Sequence, residues 1–274
     1  MADIWLHDST RLAKAALIDT TAPNSARVAD YLAGGRDNFE ADRMAVRSLV
    51  AASPVVRTVV PAMRAFHRRA VRYLVAEAGI RQFLDIGPSV AMTGDTHKVA
   101  QSLAPECRVV YADSDPMVLA HARALLTSAP GGAVAVVDAH VTDPPAMLPG
   151  AAETLDFGRP VAILLTATLG YVVRDAAAAG ILLSLTGAVP AGSHVALCHQ
   201  ASDLDPAMAA AARRWNAMSP RQVTHRSRAQ LTGLLGGLGL VPPGLVSVTD
   251  WRPAPDDPRF GRPVPVYGAV GRKP

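Results

Sequence analysis

The chain has 274 residues, half of them hydrophobic, with two cysteines and a formal net charge of +4, enough apolar material for one large α/β domain or a domain with an appendage. Two cysteines exclude a disulfide framework and a cysteine-based zinc cluster, and the longest apolar run, Val161 to Val173, is too short to span a bilayer. The start M-A-D-I-W-L-H-D lacks the basic-then-apolar order of a secretory signal. A cytoplasmic protein with no membrane and no metal is therefore expected. The basic residues are spread along the chain. Their densest group, Arg64, Arg68, Arg69 and Arg72, falls at helical spacing and fits a solvated helix face better than a nucleic-acid site.

In chain order, Thr10 to Ile18 is a short amphipathic stretch. Asn24 is placed to cap a helix running to about Ala33, and Gly34 and Gly35 end it. A second helix is expected over Phe39 to Ala52 and a third, after Pro54, over Val59 to Ala78. Residues 1–80 thus read as a helical cap and residues 81–274 as an α/β domain. From Gln82 the rhythm is strand–helix. Strands are expected at Phe83–Ile86, Val109–Ala112, Val134–Asp138, Val161–Leu165 and His194–His199, with helices at Thr93–Leu103, Pro116–Ser128, Arg174–Ala188 and Pro206–Met218. Near-continuous apolar strands argue a buried parallel sheet covered on both faces. Ser227 to Leu238 is one more helix. Leu245–Thr249 and Val264–Val270, with no helix between them, suit an antiparallel pair at the sheet edge.

The stretch Gln82 to Gln101 reads strand, glycine turn at Gly87, helix, which opens a nucleotide-binding α/β unit. Val109 to Asp113 is a second strand ending in a carboxylate, able to accept from both hydroxyls of a ribose. The full G-x-G-x-x-G is absent, because Pro88 and Ser89 follow Gly87. An ordinary strand-to-helix turn with no ligand is the competing reading of this stretch by itself.

Several stretches together resemble an actinobacterial family of S-adenosylmethionine-dependent methyltransferase-like proteins. They are P-N-S-A-R-V-A-D-Y-L-A-G-G-R-D-N-F-x-x-D-R at Pro23 to Arg43, R-A-F-H-R-R-A-V-R-Y-L at Arg64 to Leu74, A-G-I-R-Q-F-L-D-I-G at Ala78 to Gly87, and V-V-Y-A-D-S-D-P-M-V-L-A-H-A-R-A-L-L at Val109 to Leu126. The C-terminal matches are G-L-x-L-V-P-P-G-L-V-x-V-x-x-W-R-P at Gly237 to Pro253 and the closing Y-G-A-V-G-R-K-P. The resemblance implies a Rossmann-like sheet of seven strands, the last pair antiparallel, with a helical N-terminal cap. It implies S-adenosylmethionine as cofactor, bound by Asp85, Gly87, Ser89, Asp95, Asp113, Ser114 and His140. Tyr31, Arg36, Asn38, Phe39 and Met63 would close over the substrate. His199, Asp203 and Tyr171 would carry the chemistry, His199 as the candidate base. A small-molecule acceptor in secondary metabolism is implied, with a homodimer left open.

The departures from the family pattern cluster where the cofactor would sit. Ser89 replaces the second glycine, Met63 an asparagine, Asp95 to Lys98 an N-x-H-E, His140 an acid, and Gly170 a histidine. A small-molecule methyltransferase is the leading expectation. A cleft re-used for cyclisation or isomerisation, and a non-catalytic binding protein, are the alternatives.

Overall fold

Residues 18–92, 95–260 and 263–274 are described by the computed structural model. Five parallel strands carry the molecule: β1 (Gln82–Ile86), β2 (Arg108–Asp113), β3 (Ala133–Asp138), β4 (Ala162–Thr166) and β5 (His194–Gln200). Their order in the sheet is β3-β2-β1-β4-β5, so the chain reverses direction of travel between β1 and β4. Two short strands, β6 (Gly239–Leu240) and β7 (Val246–Ser247), both pair antiparallel with the last strand, β8 (Val266–Arg272), which in turn pairs antiparallel with β5. β6 and β7 lie along one side of β8 as the two ends of a broken edge strand. Counted once, that strand gives the expected seven, with an antiparallel end.

Strand alternation divides the core into two layers. Phe83, Val109, Tyr111, Leu164 and Cys198 point to one face, and Leu84, Ile86, Val110, Leu165 and Leu197 to the other. The first face is covered by α1 (Ser25–Leu32), α2 (Glu40–Ala52), α3 (Val56–Ala76), α5 (Asp95–Leu103) and α9 (Ala207–Met218). The second is covered by α7 (Pro144–Ala152), α8 (Asp175–Gly187) and α10 (Arg228–Leu234). The remaining helices are the one-turn α4 (Ser89–Met92) and α6 (Pro116–Leu125). Several boundaries shift from expectation by a few residues. α3 begins at Val56, three residues early, and carries Pro61 inside it. α6 stops at Leu125 and α10 stops at Leu234. Of the expected stretch from Thr10 to Ile18, all but Ile18 lies outside the described residues, as does the expected helix start at Thr93.

α3 is bound to the sheet, not perched over it. Its Phe66 and Tyr73 meet the fully buried Trp251 edge-on, at 5.3 and 5.9 Å between centroids. The arginine group on this helix is correspondingly split. Arg64 and Arg68 both donate to Asp95, whereas Arg69 is buried and donates to the carbonyls of Trp251 and Val248 and to Asp257. Arg69 therefore departs from the solvated face expected of it: its charge clamps α3 to the C-terminal loop. Among the described residues no single helix is long and apolar enough to cross a membrane. The bent pair α2–α3 passes on length and composition only, and buries Val46, Leu49, Val59 and Phe66 in the core.

Candidate functional site

The carboxyl ends of the parallel strands open into one cleft at the point where strand order reverses, which is where ligands bind in open α/β sheets. The turn after β1 is shaped by its neighbour after β4. Gly87 has φ +67°, and a Cβ added there would sit 2.8 Å from Thr168. Thr168 in turn donates to the Ile86 carbonyl at 2.6 Å, so the two turns are stapled together. Ser89 also adopts a left-handed backbone, φ 57°. A serine thus holds a conformation that glycine adopts more readily. Ala167, φ 63°, makes the matching sharp turn after β4.

Gly87, Ser89, Asp113, Ser114 and His140 all line the cleft. Asp113 accepts from the Asp115 amide at 2.9 Å, which leaves acceptor capacity facing outward. Burial pushes its carboxyl up to about 6. His140 Nδ1 lies 2.7 Å from the Thr142 hydroxyl and accepts from the Thr142 amide at 3.3 Å. Its proton therefore sits on Nε2, and burial, with the Arg221 charge, keeps its pKa below the ordinary value. Where an acid would accept a hydrogen bond, this residue donates one.

Asp85 stands behind the cleft. It is fully buried, and Thr96 donates to it at 2.6 Å. His67 bridges Thr96 (2.6 Å) and the cleft-lining Thr166 (2.8 Å), so a buried chain runs Thr166–His67–Thr96–Asp85. Asp85 thus ties α3 and α5 to β1 and does not line the cleft. Nor does Asp95, which is held by Arg64 and Arg68.

The glycine-pair segment is a self-bonded corner rather than a cover. Asp30 accepts from the Asp37 amide (2.8 Å) and from Asn38 Nδ2 (2.9 Å). A Cβ on Gly35 would land 1.9 Å from that carboxylate. Buried Asp42 pairs with Arg27 at 2.7 Å and accepts from the amides of Asn24 and Phe39. Asn38 is consumed in this network, while Tyr31, Arg36 and Phe39 are exposed on its outside. Of the five expected covering residues, only Met63 lines the cleft. The corner is nonetheless seated over the site. Asn24 caps α1 and donates to Asp115 (2.7 Å), and Ser25 hydrogen-bonds the Tyr171 hydroxyl.

His199 and Asp203 depart most from expectation. His199 is fully buried and does not line the cleft. Arg226 donates to its Nε2 at 2.8 Å, and its Nδ1 donates to the Gln200 carbonyl at 2.9 Å. Burial pulls its pKa down to about 4. Strand alternation is the reason: Cys198 and Gln200 point toward the α3–α9 face, and His199 points the other way. Asp203 is exposed, and its carboxylate accepts from the Arg228 amide at the start of α10. Tyr171 does line the cleft, with its phenol pKa raised by burial.

Several cleft residues were not legible in the sequence. Gln200 ends β5 on the cleft side. Residues 219–226 form a strap fixed at four points. Trp215 Nε1 donates to the Arg221 carbonyl (2.6 Å), and Asn216 exchanges two bonds with Val223. The Thr224 amide donates to the Gly170 carbonyl and the Arg226 amide to the Gln200 carbonyl. The strap carries Arg221, Val223 and His225 into the cleft. Beyond it the cleft turns apolar, walled by Leu49, Val59, Val60, Met63, Met208 and Trp215. Among the described residues no group of side chains could hold a metal ion.

A family model described as S-adenosyl methyltransferase matches residues 11–274. A DUF574 family protein from Streptomyces avermitilis MA-4680 is 38% identical, with a TM-score of 0.90, covering 94% of this chain and 100% of that one. A candidate methyltransferase from Thermobifida fusca YX is 36% identical, with a TM-score of 0.84, covering 93% of this chain and 96% of that one. An O-methyltransferase family 2 protein from Planctomyces limnophilus DSM 3776, in complex with apigenin, shares the fold at 16% identity and a TM-score of 0.50, covering 86% of this chain and 66% of that one. Comparison with curated proteins gives no match.

Proposed function

The chain belongs to the S-adenosyl methyltransferase family, and from that premise we propose that it methylates a small, largely apolar molecule. The observation that carries this reading is the division of one continuous cleft into two unlike halves. Asp113, Ser114 and His140 line a polar half at the ends of β2 and β3, and α2, α3 and α9 wall an apolar half beyond β4.

The polar half suits the family's cofactor. Gly87 lets the turn after β1 pack tightly on Thr168 at the floor of the cleft, Ser89 keeps a left-handed backbone beside it, and Asp113 offers a carboxylate to two hydroxyls. Asp113 would hold the ribose, and His140 would offer its Nε2–H to the nucleobase. When bound, S-adenosylmethionine supplies a methyl group on a positively charged sulfur. The chain's own residues then align and exclude. Thr168 fixes the turn after β1, and Met63, Met208 and Trp215 would shut water out around an acceptor. Alignment of this kind lowers a displacement barrier by up to roughly 7–11 kcal/mol.

Calorimetric titration with S-adenosylmethionine and S-adenosylhomocysteine tests the reading, with mass analysis for ligand carried through purification. Micromolar binding of both is expected. A folded protein that binds neither would refute it.

A further inference from the structure

We propose that His225 takes the hydrogen bond of the acceptor's nucleophilic O–H or N–H, with Gln200 beside it, so that the strap from residue 219 to 226 is the acceptor-recognition element. This rests on the methyltransferase reading above.

Most of the cleft's polar side chains already have partners. Tyr171 is bonded to Ser25, Thr168 to the Ile86 carbonyl, Thr166 to His67, and His140 to Thr142. Asp113 lies at the ribose end. Two lining side chains differ. His225 Nδ1 and Gln200 Oε1 are each buried with no hydrogen-bond partner among the described residues. Buried polar atoms are bonded in the great majority of cases, since leaving one unsatisfied costs about 1–3 kcal/mol. Two such atoms on one wall, at the border between the polar and apolar halves, mark a place built for a partner.

Position and rigidity agree. The Thr224 amide is bonded to Gly170 on one side of His225, and the Arg226 amide to Gln200 on the other, so the imidazole is held between the turn after β4 and the end of β5. A Cβ added to Gly170 would meet Gln200 Oε1 at 3.4 Å and the Thr224 carbonyl at 3.7 Å. The turn after β4, the end of β5 and the strap therefore meet at this wall. Burial holds the His225 pKa down to about 4, so the ring is neutral and one nitrogen can accept.

The chemistry balances. The acceptor's lone pair forms the new bond to the methyl carbon, and the carbon–sulfur pair returns to sulfur. The O–H or N–H grows acidic as that bond forms, and its proton passes to His225 and on to water.

The test uses three probes of one shape, 4-ethylphenol, 4-ethylaniline and ethylbenzene. They are titrated by ligand-observed NMR into the intact protein with excess S-adenosylhomocysteine. The phenol and aniline are expected to bind about fivefold to tenfold tighter than ethylbenzene. In His225→Phe and His225→Ala that ratio falls to about one, with ethylbenzene and S-adenosylhomocysteine affinities unchanged. Equal binding of all three probes by the wild type, or binding of none, overturns the proposal before any variant is made. So does a preference that survives both substitutions, or a variant that loses S-adenosylhomocysteine. If the wild type fails to bind S-adenosylhomocysteine but keeps the probe preference, it is the cofactor reading that falls.

Discussion

Replacing Asp113 with asparagine is expected to make the protein more stable and to weaken its binding of cofactor. The carboxyl rises from its ordinary 3.8 to about 6, chiefly through burial, with the Asp115 charge adding to the rise and the Asp115 and Ser114 amides and Arg221 opposing it. A folded-state pKa above the unfolded one means the native state prefers the protonated form. Stability from this group is then fully present below about 3.8 and lost as pH rises through about 6. At about 1.4 kcal/mol per pH unit, the ceiling on the loss at neutral pH is about 3 kcal/mol. Water in the open cleft screens the charge, so a gain of about 1–2 kcal/mol is expected for Asp113→Asn at pH 7.5. Asparagine keeps an oxygen for the Asp115 amide, so the turn survives. Urea unfolding at pH 7.5 and pH 4 checks it, because the variant's advantage should vanish at the lower pH. Calorimetry with S-adenosylhomocysteine should show a loss of at least about tenfold, because hydrogen bonds to a charged group are worth about 1.5–3 kcal/mol. No gain at pH 7.5, or a gain that persists at pH 4, would refute the reasoning.

Ser89→Gly should stabilise the protein by about 1 kcal/mol in the same assay, because a side chain at φ 57° costs about 1–2 kcal/mol that glycine avoids. Gly87→Ala should do the reverse and also weaken S-adenosylhomocysteine binding, since its Cβ would press on Thr168. Arg226→Ala should cost about 2–4 kcal/mol, chiefly by leaving the carbonyls of Leu169 and Val172 unsatisfied, since Asp175 is half exposed and rehydrates; a change under about 1 kcal/mol in denaturant unfolding would count against it. His199→Gln should lower stability yet leave S-adenosylhomocysteine affinity within about twofold, and a large loss of affinity would return His199 to the site. Cys107 and Cys198, pushed up by burial to about 11 and about 12, should react with a thiol reagent at pH 8 only after unfolding.

The architecture could be read from the chain because its signals are local and repeated. Five apolar runs at Phe83, Val109, Val134, Val161 and His194, each followed by a helical period, allow little besides a covered parallel sheet. Gly87 and Asp113 could be placed because they stand at strand ends, where the fold itself puts ligands. What the chain could not show was direction across the sheet and distance across the fold. Strand alternation turned His199 away and Gln200 toward the cleft, a matter of one residue that depends on which face is covered by α3 and α9. The polar residues of the glycine-pair segment look like a binding loop in sequence, yet Asp30 and Asp42 consume them in holding a corner. His225 has no motif around it. It reaches the cleft only because Trp215 and Asn216 fasten the strap, and Gly170 and Gln200 receive it. A site closed by hydrogen bonds from the strap to Gly170 and Gln200, on segments far apart in the chain, leaves no period to read. It exists only once the sheet has brought its carboxyl ends together.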